Sequence, residues 1–163
     1  MTEMNEDYIY ETFATFLNGL FDDMFFHVAF QKNNARKKYG TLYKMNEHTE
    51  RSKKSYEILE DESRKENIES IEIFTMQIDL NSDEDNLIDY AKKIINTCKS
   101  QRGNYYFNKN GFTLKKISSI RDIPMQVKQG WEYRRSFDIT VGYVDNFVFD
   151  MDYITTADIQ KEP

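Results

Sequence analysis

Apolar positions along the chain change their period several times, and each change marks an element. Between residues 7 and 21, Ile9, Phe13, Phe16, Leu17 and Leu20 recur at spacings of three and four. That spacing places them on one stripe of an amphipathic helix facing a core. The helix ends near Gly19 and the pair Asp22 and Asp23, and the apolar run 24–30 predicts a first strand. In 68–80, Phe74, Met76, Ile78 and Leu80 alternate on one face while Ile71 and Ile73 begin the other, the pattern of a central strand. Ser82 with Asp85 three residues on resembles a capping box. Leu87, Ile88, Ala91, Ile94, Ile95 and Cys98 then follow helical spacing, which predicts a second helix ending near Gly103.

Beyond Gly103 the pattern is that of strands. A segment at 105–107 is followed by 112–120, where Phe112 and Leu114 alternate with polar residues before a turn around Pro124. The runs 131–143 and 147–154 also alternate, and the connection Val144, Asp145 and Asn146 between them predicts a hairpin. Tyr133, Arg135, Phe137, Ile139, Val141 and Tyr143 share one face. Between 31 and 67 the chain is instead rich in Lys, Arg, Glu, Asn and Ser, with possible strands at 41–45 and 56–59. Strands with so little apolar content are weakly specified alone, which predicts a charged hairpin or arm over 32–67 that orders beside a neighbouring molecule. The element order predicts an α+β fold: a mixed, mainly antiparallel sheet with two helices on one face and the long charged hairpin.

The length of 163 residues predicts a single domain over 1–163, and 39% hydrophobic with 15% aromatic residues supplies its core. A formal net charge of −6 argues against a protein whose main task is neutralising nucleic-acid phosphates. Cys98 is the only cysteine, so an intrachain disulfide and a cysteine-rich metal site are excluded. The opening MTEMNEDY carries acid where a signal peptide carries base, and no apolar run approaches a membrane span, so no membrane association is expected.

Candidate chemistry is sparse. The two histidines are His27, in an apolar run, and His48, in the charged region, so no nucleophile–base pair can be argued. Cys98 falls on the apolar stripe of the second helix, the place of a buried thiol. Asp150 and Asp152 share a strand face, and with Asp79 or Asp138 they could gather around a divalent cation; an ordinary solvated strand face gives the same spacing. The glycines are scattered, with no phosphate-binding loop. The stretch Trp131, Glu132, Tyr133, Arg134 and Arg135 combines the residue types enriched at interface hot spots. It reads equally as a core cap with solvated or snorkelling arginines. Candidate subunit-interface residues are therefore Trp131, Tyr133, Arg134 and Arg135, together with Arg36 and Tyr43; no catalytic or metal-binding residue and no cofactor is assigned.

FTMQIDLNSDEDNLIDYAKKIINTC, then IRDIPMQVKQGWEYRRSFDITVGYVD, then a last strand, follow one another across residues 71–154. This layout resembles the neck or tail terminator proteins of long-tailed bacteriophages, in which a long strand opened by an aromatic-Arg element follows a strand, a helix and a short strand. The N-terminal helix and the stretch Asn33, Asn34, Ala35 and Arg36 are similar as well. The resemblance implies a non-enzymatic subunit forming a ring, typically a hexamer, on the head-proximal end of the tail tube. Such a ring stops tube growth and presents a docking surface to head connector and neck proteins, with DNA only passing through its lumen. It also implies a place in the tail–neck region of the virion, with assembly in the host cytoplasm. Two other readings remain open: a metal-dependent phage nuclease built on Asp79, Asp138, Asp150 and Asp152, and a monomeric adaptor using the charged hairpin.

Overall fold

The computed structural model describes residues 6–28, 38–58, 64–127 and 130–151. Helix α1 (Glu6–Asn18) begins with Glu6 and Asp7, whose charges complement the helix N-terminus, and buries Ile9, Tyr10, Phe13, Phe16 and Leu17. Asn18 ends it: its side chain accepts from the Phe26 amide at 2.8 Å and donates to the Phe26 carbonyl at 3.2 Å. These two bonds tie the helix end to strand β1 (Phe25–Val28). Strand β1 runs parallel to β2 (Lys38–Ile58) from Phe25↔Tyr39 to Val28↔Leu42. Gly40 lies opposite Phe26, and a Cβ there would stand 2.3 Å from the Phe26 ring, so the bare backbone is what lets the ring lie flat across β2.

β2 turns back as β3 (Arg64–Ser82) in an antiparallel ladder running from Lys38↔Ser82 to Ile58↔Arg64, with bulges between Lys44 and Asn46 and between Thr49 and Arg51. The charged region is thus a long hairpin, as its composition predicts. The separate strands expected at 41–45 and 56–59 are parts of one strand. Helices α2 (Leu87–Lys99) and α3 (Gln101–Lys109) follow, then β4 (Phe112–Ile117), β5 (Arg121–Asp122), β6 (Met125–Val127) and β7 (Gly130–Met151). The sheet runs β1-β2-β3-β7-β4, with β5 and β6 also pairing β7. All pairings except β1 with β2 are antiparallel, so the fold is α+β with a mixed, mainly antiparallel sheet.

Four expectations need correction. The described residues hold three helices, not two, and 105–107 is helical. Ser100 both closes α2 and opens α3, donating to the Thr97 carbonyl at 2.7 Å and accepting from the Gly103 amide at 3.3 Å. Gly103 permits this sharp junction, since a Cβ would lie 2.2 Å from the Thr97 carbonyl oxygen. The third correction concerns 144–146, which forms no hairpin. Ile71↔Val144, Ser70↔Asp145 and Glu69↔Asn146 continue the ladder. Tyr143, Asp145 and Phe147 keep the alternation unbroken there, and no glycine supplies the positive φ of a two-residue hairpin turn. The capping box at Ser82 also closes differently, its hydroxyl accepting from the Glu84 amide while Asn86 stands at the start of α2.

All three helices pack on one sheet face. Leu42, Phe74, Met76, Ile78, Leu80, Phe137, Ile139 and Val141 meet Ile9, Phe13 and Leu17 of α1, Leu87, Ala91, Ile94 and Cys98 of α2 and Phe107 of α3 in one buried cluster. Aromatic pairs join the helices: Phe13 and Phe16 lie 5.1 and 5.0 Å from Phe107, and Phe16 lies 4.9 Å from Tyr106. After α3, Asn110 caps the helix and Gly111 takes φ 84, the left-handed turn that releases the chain into β4.

Candidate assembly surfaces

The sheet face turned away from the helices is polar. The ladder registers gather Tyr39, Thr41 and Tyr43 of β2, Gln77, Asp79 and Asn81 of β3, and Arg134, Ser136 and Asp138 of β7 on it. Asp79, fully buried at the centre, accepts from the Ser136 hydroxyl at 2.6 Å and the Gln77 amide at 2.8 Å, and is ion-paired to Arg134. Arg121 of β5 clamps Asp138 with both terminal nitrogens at 2.8 and 2.6 Å and reaches the Ser136 hydroxyl at 3.3 Å. Such charge-assisted pairs satisfy the carboxylates and fix the strands' registers. Tyr39 donates to Glu132 at 2.8 Å; burial, and then this bond to a carboxylate, push its phenol up to about 12.

On the helix side, Arg135 reaches Asp85 at 3.1 Å and pairs with Asp122, pinning β5 and the segment before α2 to β7. At the far end of the core, Tyr143 donates to Glu47 at 2.6 Å and Lys44 meets Glu47 at 2.8 Å and Glu6 at 2.9 Å. Burial opposes ionisation of Glu47, but its bonds to Lys44 and Tyr143 outweigh this and hold its carboxyl below the usual range. Burial pushes the Cys98 thiol up to about 12, so it is an inert packing group.

Beyond this end the sheet continues without helices. β2, β3 and β7 extend together from His48, Ile73 and Gly142 to Ile58, Arg64 and Met151 as a three-stranded blade. Large apolar side chains are exposed on it: Tyr56 63%, Val144 48%, Phe147 47% and Val148 60%. β4 covers the outer side of β7 only as far as Tyr143, opposite Phe112, and β1 covers the outer side of β2 only as far as Leu42. Among the described residues, therefore, both outer strands of the blade present unpaired backbone.

The residues singled out in the sequence are dispersed by this fold. Arg134 is on the polar face and Arg135 on the helix face, each in internal ion pairs, while Tyr133 packs against the core. Tyr43 and Arg134 share one depression with Glu6, Tyr10, Lys44 and Gln77. Trp131 is paired in β7 opposite Gln126, but its side chain, and Arg36 altogether, lie outside the described residues. Of the acidic set, Asp79 and Asp138 each face a guanidinium, Asp150 is paired in β7 opposite Lys65, and the Asp150 side chain and Asp152 altogether lie outside the described residues. Among the described residues no group of three or more His, Cys, Asp or Glu is placed to hold a metal ion. Sequence reasoning missed Val144 and Val148 as exposed residues. Val144 reads as part of a connecting turn, and both valines have the parity of Arg134, Ser136 and Asp138, on the sheet face turned away from the helices.

Carboxylates paired with internal arginines, together with apolar residues and open strand edges on a projecting blade, fit a protein that assembles with other chains. The family model described as phage neck terminator protein matches residues 7–163, and the chain belongs to that family. Its role is accordingly structural, in the tail–neck region of a phage virion and in contact with other phage head and tail proteins. No curated protein matches the chain. No described helix is long and apolar enough to cross a membrane.

Proposed function

We propose that the chain acts as one domain that closes into a hexameric ring on the head-proximal end of the tail tube, stops tube polymerisation there and offers its other side to the head connector. The blade is the observation that carries this reading. A three-stranded sheet with apolar residues exposed and both edges open gains most when neighbouring chains cover it. A cyclic arrangement does so for every copy, because a heterologous contact that closes by rotation leaves no copy with an unmet edge. The depression holding Tyr43 and Arg134 is a second subunit contact. The net charge of −6 suits a lumen through which DNA passes without adhering. Assembly takes place in the host cytoplasm, and the protein carries no catalytic activity, since the arginines facing Asp79 and Asp138 supply the positive charge a metal ion would otherwise bring.

Purified protein added to growing tail tubes tests this. Tubes of limited length, each with a ring at one end in electron micrographs, are expected. Unlimited tubes with bare ends, or metal-dependent nuclease activity of the pure protein, contradict it.

A further inference from the structure

We infer that neighbouring copies also meet through their helices, the exposed face of α3 in one copy seating in the acidic depression that the α1–β1 connection forms with α2 in the next. The inference rests on the ring reading and adds to it a contact away from the blade. Three observations converge on it.

The first is the face of α3. Although the chain is acidic overall, it carries no Asp or Glu between residues 90 and 121, whereas Asp83, Glu84, Asp85 and Asp89 fall just before that stretch. On α3, Arg102, Tyr105 and Lys109 stand three and four residues apart and share one face, turned away from the buried Gly103 and Phe107. All three are exposed, and Arg102 and Lys109 form no ion pair among the described residues. Tyr105 is 70% exposed, more than any other large apolar side chain described. An aromatic ring between two unpaired cations has the composition of an interface anchor.

The second is a surface that complements it. Asp22, Asp23 and Asp89 line, with Phe21, Tyr90 and Lys93, a depression of about 440 Å³. The Phe21 and Tyr90 rings lie 5.0 Å apart in it. Lys93 is drawn onto this pair, its Nζ 4.6 Å from the centre of the Phe21 ring and 2.8 Å from the Leu20 carbonyl oxygen. The nearby Lys38 is taken up by Asp23 and Glu84. Asp22 and Asp89 are exposed and form no ion pair among the described residues. The depression thus offers free carboxylates beside rings on which a Tyr can stack.

The third is placement. The depression sits against β1, the Phe21 ring lying 6.1 Å from that of Phe26, while α3 leads through the Gly111 turn into β4. β1 and β4 are the two ends of the strand path, so the two surfaces lie toward opposite borders of the sheet. Each copy can therefore offer α3 to one neighbour and its depression to the other, as a contact that closes by rotation requires. Pairing α3 with α3 would instead set cation against cation.

The occupant is thus a second copy of this chain. The test follows self-association of the full-length protein by sedimentation, with and without tail tube ends. Arg102→Glu with Lys109→Glu reverses α3, and Asp22→Lys with Asp89→Asn reverses the depression; all four side chains are exposed. Either double variant alone is expected to self-associate about tenfold more weakly than the native chain. An equimolar mixture should recover native assembly, as rings that contain the two variants in equal numbers, because each reversed surface then finds an opposite one. Tyr105→Ser, which keeps every charge, should weaken association as well. Undiminished assembly of either double variant alone, or a mixture no better than its parts, overturns the helix contact and leaves the ring reading standing. Native protein that stays monomeric with and without tube ends overturns both.

Discussion

Gly40 and Glu47 show how single residues fix the hairpin to the core. A methyl group at position 40 would press on the buried Phe26 ring at 2.3 Å. Gly40→Ala should therefore destabilise the fold by about 1–3 kcal/mol, read from urea unfolding midpoints; an unchanged midpoint would show that the ring can move aside. Glu47 accepts from Tyr143 and Lys44, and its carboxyl is held below its ordinary value of 4.5. A depressed folded pKa means stability that is present above 4.5 and lost as pH falls through the lowered value. Glu47→Gln should accordingly be less stable than the native chain at neutral pH, with the gap closing in acid. Parallel denaturation curves at all pH values would contradict this. Asp79 is the buried partner of Arg134, Ser136 and Gln77, so Asp79→Ala should cost about 1.5–3 kcal/mol by stranding a charged donor. Calorimetry of the purified variant measures it, and a loss well under 1 kcal/mol would mean that water replaces the carboxylate.

Elements were legible where one period persisted and a cover was at hand. The stripe Ile9, Phe13, Phe16 and Leu17 and the alternation Phe74, Met76, Ile78 and Leu80 read directly as a core-facing helix and a central strand, and both are fully packed. Helix α3 was not legible, because Tyr105, Tyr106 and Phe107 favour strands and their helical state depends on Phe107 reaching Phe13 and Phe16 of a distant helix. The Ser100 cap and the Asn110–Gly111 stop were the local signals available. β7 was split in two because polar residues at 145 and 146 imitate a turn, although the parity of Tyr143 and Phe147 argues for one strand. Of the proposed interface residues, Arg134 and Arg135 could not be separated from core anchors without the register that gives them carboxylate partners. At this scale the blade should exchange its amide hydrogens much faster than 74–80 and 137–141 in an isolated monomer and become protected on assembly, since no helix covers it. Equal protection of blade and core in the monomer would show that the blade needs no neighbour.

The whole molecule joins a core that is closed on one face by three helices and on the other by paired charges to a sheet extension that neither covers. That division suits the proposed ring, in which the core would hold its shape while the blade forms contacts. The central claim is that the chain works as a closed ring, and particle mass in solution measures this most directly. Native mass spectrometry, alone and with tail tube ends present, should give one dominant species at six times the 19.5 kDa chain, appearing as a ring in electron micrographs. A single species at 19.5 kDa under both conditions would contradict the account.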